Sequence, residues 1–364
     1  MRLNDVTLRE GAQMPGRDYT AEQKLAAGAA LDDLGLPFVQ PGFPATGETD
    51  RRVVRELAET LDADVIGLAR ALEGDVDAAI DSDADVVEVF VSASDLHLEH
   101  LLGKSRAEMR EMLVGSVEYV RERGGVPHVT LADAFRTDPG DLADLFAAVP
   151  DAAFVTLADS VGVRTPASVR AHLDSLVERG VDPARVGVHF HDDLGCATAN
   201  ALAAYEAGVG KADVSVAALG ERAGNSPLEE VVVACSLEHD DSLGVDEGSL
   251  VTACRGVLDA LGESWDDRKA VLGSAVAEHE SGIHTAAMLR DPATLEPYDP
   301  GRFGGERRLV FGRKTGRGGA RQVLERADVD ADDETVEAFR ESLAAAGPLE
   351  LAEAIALADR EFGG

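Results

Sequence analysis

Across about its first 240 residues the chain alternates short apolar runs, each ending in polar or Gly-rich turns, with stretches of helical 3.6-residue period. That rhythm marks repeated βα units and confines the chain to folds built on a parallel sheet. Eight strand candidates can be read: Leu3–Leu8, Phe38–Phe43, Val65–Ala69, Val86–Ser92, Val126–Leu131, Ala153–Leu157, Val186–His191 and Ala212–Ala217. Helical segments such as Ala21–Leu34, Ser105–Arg123, Pro166–Arg179 and Ala197–Ala207 lie between them. Eight such units fit a closed (β/α)8 TIM barrel of the α/β class better than an open sheet of about five or six strands. Beyond residue 245 the rhythm stops, and helical pieces Ser249–Leu261 and Val336–Ala345 flank a Gly-, Pro- and Arg-rich stretch from Asp291 to Gly319. The expected organisation is a catalytic barrel over 1–245 and a smaller, mainly helical lid region over 246–364.

In such a barrel the chemistry sits on the loops that follow the strands. Polar residues should collect where the apolar runs end, and they do: Arg9-Glu10-Gly11, Asp133-Ala134-Phe135-Arg136, Asp159-Ser160, His189-Phe190-His191-Asp192-Asp193 and Gly220-Glu221-Arg222.

Charge narrows the partners. Against 68 acids stand 34 cations, of which only five are lysines (Lys24, Lys104, Lys211, Lys269, Lys314), for a net charge of −34. Such a surface repels phosphate backbones and anionic lipid, which excludes nucleic-acid and membrane-surface roles. Dense carboxylate with few ammonium side chains suits a salt-rich cytoplasm, where repulsion is screened. Three cysteines (Cys196, Cys235, Cys254) form neither a disulfide framework nor a CxxC site, which points to a reducing compartment. No apolar run reaches membrane-spanning length, and the first residues lead straight into strand-like sequence with no signal peptide.

His189 and His191 are two apart in a strand, so both imidazoles face the same way, into the barrel mouth. Two neutral imidazoles and one carboxylate make a facial set for a divalent metal with positions left open. Glu10 follows strand 1, which only strand 8 separates from strand 7, and is the first candidate carboxylate; Asn225, past strand 8, could add a neutral oxygen. The same donors suit Mg²⁺, Mn²⁺, Zn²⁺ or a non-haem Fe(II), although the jelly-roll pattern expected of the last is missing. Arg9, beside Glu10, is placed to hold a carboxylate or a developing alkoxide.

Four stretches together resemble the 2-isopropylmalate synthase/homocitrate synthase family: Asn4–Gln13 (NDVTLREGAQ), His189–Asn200 (HFHDDLGCATAN), Leu219–Asn225 (LGERAGN) and Glu280–His284 (ESGIH). The resemblance runs from residue 3 to about residue 325 in the family's motif order. It implies a metal-dependent TIM-barrel acyltransferase that condenses acetyl-CoA with a 2-oxo acid, then hydrolyses the thioester. It also implies a metal on Glu10, His189 and His191 with Asn225 nearby, and the oxo acid on Arg9 with Gln13 and Ser160. His284, with Glu280, would belong to acid/base machinery delivered by the lid, which crosses to the other protomer of a homodimer. Carbon–carbon lyases on the same barrel, such as hydroxymethylglutaryl-CoA lyase, are the competing class.

The identity of the oxo acid divides the motifs. Leu131–Asp138 (LADAFRTD) resembles the homocitrate synthase stretch, which would make Arg136 the partner of a distal carboxylate, and Cys196 points the same way. Asn225 and Gly42-Phe43-Pro44 look more like the 2-isopropylmalate synthase branch, Ser160 stands where the family usually has threonine, and pyruvate, as in citramalate synthase, stays open. Ala12 stands where the family has glutamate. The chain ends soon after the lid, so feedback through a C-terminal regulatory domain is not expected. From Arg302 to Arg321 there are seven cations and one acid, a contrast that predicts a partner for Arg313, Lys314 and Arg317: the phosphates of CoA, or an acidic face of a second subunit.

Overall fold

The computed structural model describes residues 1–280 and 282–364. Eight parallel strands, β1 (Arg2–Asp5), β2 (Phe38–Gly42), β3 (Asp64–Arg70), β4 (Val86–Ser92), β5 (Val126–Ala132), β6 (Val155–Asp159), β7 (Val186–Phe190) and β8 (Lys211–Val214), pair in sequence order. The register Arg2↔Lys211 to Asp5↔Val214 closes β8 onto β1, so the sheet has no free edge.

The expected first strand, Leu3–Leu8, stops early for a local reason. The buried Asp5 carboxylate accepts the Thr7 N–H (2.9 Å) and the Thr7 hydroxyl (2.8 Å), an Asx-type turn that bends the backbone out of extension. A short helix, Thr7–Gly11, follows and carries Arg9 and Glu10 over the barrel mouth. Other helices start where their caps dictate: Thr20 with Gln23 before Ala21–Asp32, and Ser105 with Glu108 before Arg106–Glu122.

The barrel's lower interior is apolar. Phe38, Ile66 and Val86 pack together with Phe154, and the His128 ring meets Phe38 and Phe154 edge-on at 5.4 and 5.2 Å. Above that layer the interior is polar, which is where the site lies.

The chain divides into two compact units, Met1–Trp265 and Asp266–Gly364. Helix Leu250–Leu261, assigned to the lid on sequence, packs instead on helix Ala21–Asp32 of the barrel unit and buries Leu250, Cys254, Val257, Leu258 and Leu261. The second unit is not helical throughout. It holds a small sheet in which β10 (Arg308–Phe311) lies between β9 (Glu278–His279) and β11 (Leu349–Glu350). Phe311, Val323, Val336, Phe339 and Leu357 form its core. Among the described residues no helix is long and apolar enough to cross a membrane.

One histidine, on the outer helix Pro166–Glu178, yields a pH prediction. His172 lies against Phe135 (ring centroids 5.1 Å apart) with its Nε2 lacking a hydrogen-bond partner among the described residues; burial, with Arg164 nearby, pushes its pKa down to about 4. The folded pKa is below that of a free imidazole, about 6.5. Its contribution to stability is therefore complete above pH 6.5 and is lost as pH falls toward 4. We expect His172→Phe, which keeps the ring contact, to recover about 2 kcal/mol, or about 4–8 °C of Tm, at pH 4.5 relative to its effect at pH 7.5. Thermal melts of both chains at the two pH values check this, and a pH-independent difference would refute it.

Candidate active site

Glu10, His189 and His191 are brought together at the mouth of the barrel. Their donor atoms all lie within 4.8 Å of one another, with His189 Nε2 3.7 Å from Glu10 Oε1. Alternation along β7 turns His189 inward, and His191, just past the strand, bridges to Asn225. That bridge needs a sharp return in the loop after β8. Gly224 supplies it with φ +88°, at a point where a Cβ would sit 1.8 Å from the Ala218 carbonyl oxygen.

Electrostatics puts these groups in the states a metal requires. Burial alone would raise the Glu10 carboxyl, but the Arg9 guanidinium, with His189, His191 and Asn225, takes it down to about 2. Burial, then the neighbouring His189, pushes His191 down to about 4, so at neutral pH its ring is uncharged. His189 Nδ1 is 3.2 Å from Asp213 Oδ2; donation there leaves a lone pair on Nε2 toward Glu10. Glu10 Oε2, His191 Nδ1 and Asn225 Oδ1 are buried with no hydrogen-bond partner among the described residues. Buried acceptors left unsatisfied cost free energy. One carboxylate and two imidazoles whose donor atoms converge, with the unsatisfied amide oxygen of Asn225 on the residue bridged to His191, fit a divalent cation.

Arg9 is anchored from two sides. Its Nε donates to Gln40 Oε1 (2.7 Å) and its Nη1 to Glu10 Oε1. Gln40 in turn donates to Glu88, and Lys211 Nζ donates to Glu88 (2.8 Å) and lies 3.4 Å from Asp213. Sequence reasoning missed Gln40, Glu88, Lys211 and Asp213. The signal available was their parity with inward-facing neighbours: Glu88 with Phe90 on β4, Lys211 with Asp213 on β8.

A cavity of about 170 Å³ opens beside this cluster. Arg9, Glu10, Gln13, Ser160, His189 and His191 line it, together with Leu68, Phe90, Thr130 and Ala158. Ser160 is held there by donation from the Asp133 N–H to its hydroxyl (2.8 Å). Arg136 is not among the lining residues. Both its Nε and Nη2 are 2.7 Å from the buried Asp133 carboxylate, a fork that occupies the guanidinium locally. Cys196 Sγ donates to the Leu194 carbonyl (3.5 Å).

The remaining candidates belong to the second unit. His284 is exposed on helix Gly282–Met288, and Glu280 pairs with Lys314 at 3.0 Å. The cationic stretch is largely answered by acids of its own unit: Arg307 by Glu296, Arg308 by Glu350 (2.8 Å), and Arg317 and Arg321 by Asp333 (2.9 and 2.7 Å). Arg313, which is exposed, has no ion-pair partner among the described residues.

The HMGL-like family model matches residues 1–255, and the homocitrate synthase post-HMGL domain-like model matches residues 271–347. A homocitrate synthase AksA of Methanopyrus kandleri is 40% identical over 94% of this chain and 87% of its own length. A homocitrate synthase of Frankia alni is 42% identical over 89% of this chain and 93% of its own. A probable 2-isopropylmalate synthase of Methanopyrus kandleri is 38% identical over 93% and 68%. Among solved structures, the hydroxymethylglutaryl-CoA lyase of Pseudomonas aeruginosa superposes with TM-score 0.64 at 25% identity over 72% of this chain and 93% of that one.

Proposed function

The chain belongs to the HMGL-like family, and we propose that it is an acyltransferase that condenses acetyl-CoA with a 2-oxo acid and releases CoA. The observation that carries this reading is the buried Glu10–His189–His191 donor set with Arg9 against it in one cavity. A divalent cation on those three groups, with Asn225 beside them, supplies Lewis-acid polarisation of the oxo-acid carbonyl. Arg9, fixed by Gln40 and Glu10, stabilises the negative charge that grows on that oxygen. Gln13 and Ser160 orient the oxo acid, while Leu68 and Phe90 exclude water from it. His284, with Glu280 of the second unit, takes a proton from the acetyl methyl group; the enolate carbon adds to the oxo-acid carbonyl carbon, its oxygen becoming the alkoxide that Arg9 meets, and water then cleaves the thioester to the carboxylate and free CoA thiol. A lyase on the same barrel is the weaker reading, because the match at residues 271–347 is to a homocitrate synthase domain and the lyase likeness spans 72% of the chain.

The cavity wall favours an oxo acid with an uncharged side chain. Past Arg9 it presents Leu68, Phe90, Ala158, two hydroxyls, Gln13 and the carboxylates of Glu88 and Asp213, and a second substrate carboxylate among them would be desolvated beside like charge with no further cation in the lining to meet it. The 40% and 42% identities to homocitrate synthases support the dicarboxylic alternative, in which Arg136 leaves Asp133 for the substrate. Thiol release from acetyl-CoA with a panel of 2-oxo acids and Mg²⁺ or Mn²⁺ tests both. We expect 2-oxoisovalerate or pyruvate to outpace 2-oxoglutarate by about tenfold or more, and Arg136→Ala to leave that order unchanged. Activity with 2-oxoglutarate that collapses in Arg136→Ala would establish the dicarboxylate instead; no thiol from any acid removes the synthase reading.

Three free thiols and the net charge of −34 support a reducing, salt-rich cytoplasm as the setting. In the same assay, turnover should rise with KCl into the molar range, and full activity in dilute buffer would contradict that setting. We take the working form to be a homodimer whose second units are exchanged between protomers, with Arg313, Lys314 and Arg317 meeting the CoA phosphates. The exposed His284 and the exposed Arg313 support this.

A further inference from the structure

Most TIM barrels fill their interior with branched apolar side chains. Here the layer directly beneath the site is ionic. Lys211 is completely buried, and its ammonium reaches two carboxylates on opposite sides: Glu88 of β4 at 2.8 Å and Asp213 of its own strand at 3.4 Å. Each carboxylate leads to a different half of the site. Asp213 meets His189 Nδ1 at 3.2 Å and is steadied by donation from Asn4 Nδ2 (2.8 Å). Glu88 accepts from Gln40, whose Oε1 receives the Arg9 Nε at 2.7 Å. Gly187, paired in register with Lys211, makes room for Thr156, whose hydroxyl a Cβ there would approach to 2.4 Å.

We propose that Lys211 is a positioning residue that sets the separation between the metal-binding His189 and the substrate-binding Arg9 by gripping Asp213 and Glu88 at once. The proposal rests on the condensation reading only for what Arg9 binds; the linkage to His189 stands without it. A buried ammonium costs a great deal of desolvation and stays only where its partners answer it. Two carboxylates buried in one layer would otherwise repel and part. Removing the cation therefore releases both arms together, whereas neutralising Glu88 releases only the Arg9 arm.

The test uses the full-length chain and compares Lys211→Met with Glu88→Gln. Mn²⁺ affinity is measured by titration without substrate, and KM for the oxo acid and for acetyl-CoA by thiol release. For Lys211→Met we expect Mn²⁺ affinity to fall by about tenfold or more, as for other losses behind a metal-bound histidine. KM for the oxo acid should rise by about tenfold while KM for acetyl-CoA stays within about twofold, a split that general loosening would not produce. For Glu88→Gln the oxo-acid KM should rise alone, with Mn²⁺ affinity within about twofold. A folded Lys211→Met chain that binds Mn²⁺ and oxo acid as the parent does overturns the proposal. Should Lys211→Met fail to fold, an unchanged oxo-acid KM or a lost Mn²⁺ site in Glu88→Gln overturns it equally. If the parent chain turns over no oxo acid, the condensation reading fails while the Mn²⁺ comparison still decides the role of Lys211.

Discussion

His189→Ala is expected to lower kcat for thiol release by at least about a thousandfold and to abolish Mn²⁺ binding by the free protein. The side chain is committed at both ends, with Nε2 facing Glu10 at 3.7 Å and Nδ1 on Asp213 at 3.2 Å. Truncation removes one of three ligands, and an open two-ligand site does not hold a cation firmly. Loss of several kcal/mol of Lewis-acid stabilisation corresponds to about three decades or more in rate. His191→Ala should match it in turnover. Asp213→Asn, which keeps the shape and still accepts from Nδ1, should cost only about ten- to a hundredfold. Turnover and Mn²⁺ titration measured on the three variants check this ranking. If His189→Ala keeps turnover, the ligand set is wrong and the carbonyl is activated by other means.

The convergence of Glu10, His189 and His191 was legible because its signal is local or topological. An HxH pair in a strand puts two rings on one side whatever the rest of the chain does, and sequential strand order in a closed barrel brings β1 within one strand of β7. The ionic layer was not legible. Glu88 sits inside a run, VVEVFVS, that reads as an ordinary buried strand, and its partner Lys211 is 123 residues away. No period relates them; only the closure of the sheet does. Arg136 shows the opposite case: its position after β5 suggested a substrate carboxylate, and what sequence did not announce is the fork it makes with Asp133, three residues earlier. The lid boundary slipped for a related reason. An apolar stripe on Leu250–Leu261 announces that the helix is buried without naming the surface, here helix Ala21–Asp32, that buries it. Two-residue strands such as β9 and β11 carry no alternation at all.

Arg9→Gln should lower kcat/KM for the oxo acid by about a hundred- to a thousandfold, with kcat bearing the larger part. The guanidinium is nearly buried, tied through Nε to Gln40 and through Nη1 to Glu10, so its position does not depend on substrate. Such a preorganised charge acts most strongly on charge that grows during reaction, and deleting one donor of this kind costs about that much. Arg9→Lys keeps the charge but not the fork that engages Gln40 and Glu10 together, and should fall between. A rise in KM with kcat unchanged would assign Arg9 to the ground-state carboxylate alone and remove it from the developing oxyanion. The same variant tests protomer exchange. Mixed with a His284→Ala chain, it can form dimers in which one site combines an intact barrel with the other chain's intact second unit. Recovery of about a quarter of parental turnover is then expected, since half the dimers are mixed and each holds one whole site. If each second unit serves its own barrel, no mixing ratio restores activity.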